Sequence, residues 1–181
     1  MSEADRVEAD RVLAASEAVA TDDDAPESPE ALVFPKVKKR RKGPYAADDC
    51  GGDPPAMFLK GIHEFNEGEF FEQHETLETL WRLTESDIRY LYQGVLLIGV
   101  GFYHQEQNNF HGTQAKLAAG IEMLEWFLPA CQGVDVADLI ARTRPCLEQV
   151  RQLGRERLQE FDRSLIPQVK LLQGHGQGHG S

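Results

Sequence analysis

From Pro55 onward the apolar residues recur at intervals of three and four, the period of an amphipathic helix. Met57, Phe58, Ile62 and Phe65 form the first such stripe. It opens behind a proline suited to a first turn and closes at Gly68, a residue suited to helix exit. The same period predicts a second helix from Glu69 to Leu83 and a third from Ile88 to Gln107, capped by Ser86 or Asp87. Asn108 and Asn109 break the third. A fourth is predicted from His111 to Phe127, stopping before Pro129. Asp135 opens a further helix that Pro145 should kink or restart. A last segment runs through Leu147, Val150, Leu158 and Phe161 towards Pro167. No stretch alternates apolar and polar residues as a half-buried strand does. The predicted class is therefore all-α: a small bundle of about five helices built on antiparallel hairpins.

The third helix carries Leu91, Val95, Leu96, Leu97, Ile98, Val100 and Phe102 and is apolar nearly all round, the mark of a helix in the middle of a bundle. Gly94 and Gly101 share one of its faces. Glycine weakens a helix interior, so the pair predicts close approach of a neighbouring helix.

Composition alters this picture at the ends. Residues 1–54 read as a disordered acidic extension, residues 55–167 as the helical body, and residues 168–181 as a flexible Gly/His tail. Residues 1–35 carry a net −8, the basic run at 36–42 carries +6, and the remainder −9, for −11 overall. So acidic a body makes nucleic acid an unlikely partner, since that needs a basic footprint. The longest apolar run, Val95 to Tyr103, is too short to cross a membrane. Cys50, Cys131 and Cys146 are scattered and odd in number, which indicates neither a disulfide framework nor a thiolate zinc site. With an N-terminus unlike a secretory signal, the expected setting is the cytoplasm.

Candidate chemistry lies on the second helix. At roughly 100° per residue, Phe70, Phe71, Leu77, Glu78 and Trp81 all fall within about 60° of His74. The core-facing stripe thus contains a histidine and a carboxylate. Glu75 sits at its edge near Arg82, while Glu72 and Thr79 face outward. On the third helix, Gln93 and Asn108 share a face with His104. If the two helices pack antiparallel, these polar rows meet. Buried ionisable groups need partners, so one reading is a hydrogen-bonded network that sets helix register. The other is a functional pocket. It would be a His–Glu acid–base pair of hydrolase type using His74 with Glu75 or Glu78 and His104, or a divalent metal on His74, Glu78 and His104. His74-Glu75-Thr76-Leu77-Glu78 is not the zinc-protease motif, because Glu78 stands where that motif has its second histidine. No cofactor is predicted outside the metal variant, and the partner expected is a protein or small molecule.

The run Phe65-Asn66-Glu67-Gly68-Glu69-Phe70-Phe71-Glu72-Gln73-His74-Glu75-Thr76-Leu77-Glu78-Thr79-Leu80-Trp81 is distinctive, as is Gln93-Gly94 followed by Tyr103-His104 and Asn108. Together they resemble a domain of unknown function, the family numbered three-zero-nine. Its signature is F-N-x-G-x-(F/Y)-(F/Y)-E-x-H-E-x-x-E-x-x-W, then Q-G and Y-H-x-x-x-N on the next helix. The likeness extends over about residues 57–128 and more weakly to Pro167. It implies a small helical bundle and no particular activity. It places Glu72, His74, Glu75, Glu78, Trp81, Gln93, His104 and Asn108 at signature positions. Asn108-Asn109 stands where the family usually has Gly-Asn, so the turn after the third helix is expected to differ. The Asn-x-Gly-x-Phe junction is also similar to a tetratricopeptide hairpin, but a single repeat implies hairpin geometry alone.

Overall fold

The computed structural model describes residues 42–173. Among them are five α-helices: α1 (Ala56–Asn66), α2 (Phe70–Leu83), α3 (Arg89–Glu106), α4 (Phe110–Leu124) and α5 (Val136–Leu153). Each packs against the next in chain order. One 3-10 segment follows α4 (Glu125–Phe127) and two follow α5 (Arg155–Glu160 and Arg163–Leu165), and no strand forms among the described residues; pairing is limited to isolated bridges, Cys131 with Val134 and Val134 with Leu171.

Gly68 leaves α1 at φ +76°, a conformation that L side chains rarely adopt, and α2 begins two residues later. Phe65 and Phe70, on either side of this turn, meet edge to face with ring centroids 5.4 Å apart. Along α3 every residue from Tyr90 to Gln105 is buried, as expected of a helix that is apolar nearly all round. Its two glycines make room for α4. A Cβ on Gly94 would lie 2.7 Å from Leu124 Cδ2, and one on Gly101 would lie 2.6 Å from Leu117 Cδ2.

Several boundaries differ from expectation. Neither Ser86 nor Asp87 caps α3 with its side chain. Ser86 Oγ donates to Asp49 Oδ2 at 2.9 Å, and Asp87 Oδ2 accepts from the Ala46 amide at 2.8 Å. Both side chains are engaged by the chain that precedes α1. Pro145 does not interrupt α5. Pro145 and Ala141, whose carbonyl loses its helical partner there, both lie on the exposed face, where water can take the lost bond. Leu147 and Val150 therefore belong to α5, which ends at Gly154 with φ +68°.

The chain on both sides of the expected body is packed. Tyr45 is buried and stacks on Tyr90 with centroids 4.1 Å apart. Cys50 and Cys131 form a disulfide, which corrects the reading of the three cysteines as unpaired. At the other end, the Asn66 side chain takes both backbone groups of Val169, accepting from its amide at 2.7 Å and donating to its carbonyl at 3.1 Å. The Leu172 amide donates to Gly133 O at 2.7 Å. Residues 1–35 of the acidic extension, the basic run apart from Lys42, and the Gly/His tail from residue 174 lie outside the described residues.

Candidate functional site

The site is a polar seam where α2, α3 and α4 meet. From α2 it takes Gln73, His74, Glu78, Trp81 and Arg82. His74 sits at the centre of the buried stripe and has no exposed surface. Its Nε2 lies 3.3 Å from Glu78 Oε2, one helical turn on, but the pair lacks hydrogen-bond geometry, and Nδ1 has no partner either. Glu78 is instead bound by Arg82, the next residue along the same row. Burial holds His74 far below the usual imidazole value of 6.5, down to about 4, and the neighbouring Arg82, Lys116 and His104 push it further down. The ring is therefore neutral at pH 7, and its contact with Glu78 is no ion pair. Burial also raises the Glu78 carboxyl, against the lowering pull of Arg82.

His104 comes from the last turn of α3. Its ring packs so closely on Gly112 that a Cβ there would lie 2.8 Å from Cγ. Its Nδ1 lies 3.3 Å from Asn109 Nδ2. Asn109 is also the cap of α4, accepting from the Gly112 amide at 2.9 Å. One side chain thus fixes the start of α4 and the position of the histidine ring. Asn109→Ala is expected to cost about 1–2 kcal/mol, the usual price of a lost cap. Chemical denaturation checks the size. A matching change in the ring resonances of His104, absent from the cap variant Asp135→Ala on α5, checks the coupling.

The remaining sequence candidates fall into two groups. Trp81 and Gln93 are buried; Trp81 Nε1 and Gln93 Oε1 have no hydrogen-bond partner, and the Arg89 guanidinium lies 4.2 Å above the Trp81 ring. Glu72, Glu75 and Asn108 are exposed. Glu75 touches the seam only through its field on Glu78. Asn108 takes φ +56° and turns the chain out of α3. Asparagine is the residue that best tolerates this left-handed conformation after glycine. The side chain that acts at this turn is Asn109.

Three contributors carried weaker signals. Gln73 is fully buried, donates to Val95 O at 3.2 Å, and fills the space beside Gly99, where a Cβ would meet its Oε1. Lys116 is buried on α4, and Gly112 and Gly120 lie one turn to either side. A glycine row interrupted by one lysine marks a helix face pressed on a neighbour. Arg82 was legible only as a neighbour of Glu75. Among the described residues, no group of three or more His, Cys, Asp or Glu side chains is placed to hold a metal ion.

The molecule is thus a helical-hairpin bundle with a histidine-centred polar seam between its inner helices. Residues 58–115 match the model of the family described as Domain of unknown function (DUF309). The matched stretch takes in most of α1, all of α2 and α3, and the start of α4, and is shorter than the motif likeness suggests. No curated protein and no solved structure matches the chain. No helix among the described residues is long and apolar enough to cross a membrane.

Proposed function

We propose that this chain is a non-enzymatic interaction module, cytoplasmic in setting, whose polar seam holds α2, α3 and α4 in one register and leaves binding to the outer surface. The observation that supports this most is the burial of His74, with His104, Gln93 and Trp81 each no more than 5% exposed. A general base must come within hydrogen-bond reach of its substrate, and side chains so enclosed are out of a substrate's reach. Register is set where the seam is bonded between helices: the Gln73 side chain donates to Val95 O, and a one-residue slip would break that bond.

A second reading rests on Glu78, which is 17% exposed at the rim of the seam and holds a raised carboxyl pKa beside a neutral imidazole. That is the electrostatic form of an acid–base pair. His74→Gln separates the two. An interaction module keeps its helical circular dichroism and, in cross-linking from its native cells, the same protein neighbours as wild type. Turnover of ester or phosphoester substrates by wild type, abolished in a folded His74→Gln variant, would overturn the non-enzymatic reading.

A further inference from the structure

The short loop Cys131–Asp135 is a junction. Cys131 is bonded to Cys50, and the Gln132 amide donates to Cys50 O at 2.8 Å. The Gln132 side chain accepts from the buried Tyr92 hydroxyl at 2.8 Å, which anchors the loop to α3. On its other side the loop pairs with Lys170 and Leu172. Cys131 is buried, whereas Cys50 is half-buried and sits on a 3-10 turn (Asp48–Gly51) whose remaining residues are exposed.

The segment Gly43–Gly52 lies over an aromatic surface. Tyr45 stacks on Tyr90, lies parallel to Phe127 at 6.1 Å and meets Trp126 edge-on at 6.1 Å. Gly43 is pressed on the Trp126 indole, where a Cβ would lie 2.6 Å from the ring. Apart from Tyr45, the segment contributes no buried side chain, and its bonds to Asp87 and Ser86 are exposed. Stacked rings hold the Tyr45 end of the segment and exposed hydrogen bonds hold its middle, so the covalent bond at Cys50 sets how firmly its other end is docked.

We propose that Cys50–Cys131 is a reversible thiol–disulfide exchange site for a soluble dithiol, and that its state latches or releases the 43–52 segment from the Tyr90–Trp126–Phe127 surface. The thiolate of the dithiol attacks the sulfur of Cys50, the less buried of the two cysteines. The Cys50–Cys131 bond breaks, and Cys131 leaves as a thiolate that takes up a proton. The second thiol of the reductant then displaces Cys50 from the mixed disulfide. Two electrons and two protons pass to the cysteines, and the dithiol becomes a cyclic disulfide. Cys146 takes no part. It is buried on α5, its Sγ lies against the carbonyls of Arg142 and Leu165, and burial pushes its thiol up to about 11, so almost no thiolate forms.

The test uses the full chain, oxidised with glutathione disulfide and then treated with dithiothreitol under native conditions. Alkylation should label Cys50 and Cys131 after reduction and leave Cys146 unlabelled. Amide exchange at residues 45–52 should rise at least about tenfold on reduction and return on reoxidation, with a red shift in emission that Trp126→Phe abolishes. The double variant Cys50→Ser/Cys131→Ser should resemble reduced wild type without reductant. Failure of the oxidised chain to form the bond, resistance of the bond to dithiothreitol until denaturant is added, or unchanged protection at 45–52 after complete reduction would each overturn the proposal.

Discussion

Replacing Phe102 by alanine is expected to destabilise the fold by about 3–5 kcal/mol, the range found when a buried aromatic side chain is cut back to a methyl group. Phe102 is fully buried on α3 and stands at the centre of an aromatic cluster. Its ring centroid is 6.4 Å from Phe65 on α1, 5.8 Å from Phe70 on α2 and 6.4 Å from Phe161 in the segment after α5. One side chain therefore joins both helices of the first hairpin to the chain beyond the last helix. The rings come from distant parts of the backbone, so the surroundings cannot close over the gap without moving whole helices. Single domains are stable by only about 5–15 kcal/mol, and the variant should be marginal at 37 °C. Urea denaturation with an unchanged slope is the check. Phe102→Leu keeps much of the volume and should lose far less. A loss below about 1 kcal/mol for alanine would mean that a neighbouring ring swings into the space and that the cluster is not rigid.

Much of this architecture was legible because the body of the chain is locally consistent. The stripe from Phe58 to Phe65, the exit at Gly68 and the all-apolar third helix each satisfy the helical period without help from distant residues. The polar seam was partly legible for the same reason, since a histidine and a glutamate on a core-facing stripe must lie against something. What the chain did not reveal locally depends on tertiary partners. Ser86 and Asp87 have the chemistry of caps, but Asp49 and the Ala46 amide hold them. Lys116 reads as a surface residue until the glycines around it bring α4 against α3. The Cys50–Cys131 pair spans 81 residues and follows no spacing motif. Pro145 obeys the rule against helix-interior proline everywhere except on a face open to water. In the turn after α3 the error was one residue. Asn108 and Asn109 are chemically identical, and only the backbone conformation shows which one turns the chain and which one caps the next helix.

Stability should also fall sharply in mild acid, and His74 should be the cause. In the unfolded chain its imidazole titrates near 6.5, but in the folded protein it stays neutral until about pH 4. Below pH 6.5 the unfolded state thus binds a proton that the folded state refuses, and stability declines with falling pH. The loss begins near pH 6.5, is complete near pH 4, and is absent above pH 7. A shift of this size corresponds to roughly 3 kcal/mol. Every charged group facing the ring bears on the result. Arg82, Lys116 and His104 oppose its protonation. Glu78 runs the other way: its folded pKa is raised, so it takes up its proton earlier in the folded state and returns part of the stability in the lower half of the window. Denaturation midpoints at pH 7.5 and 5 should therefore differ clearly in wild type and much less in His74→Gln, which has nothing to titrate at this position. Lys116→Met should narrow the difference by removing one opposing charge. Equal acid sensitivity in wild type and His74→Gln would show that the ring meets solvent or a proton acceptor in the folded state, and would return the seam to consideration as a working acid–base site.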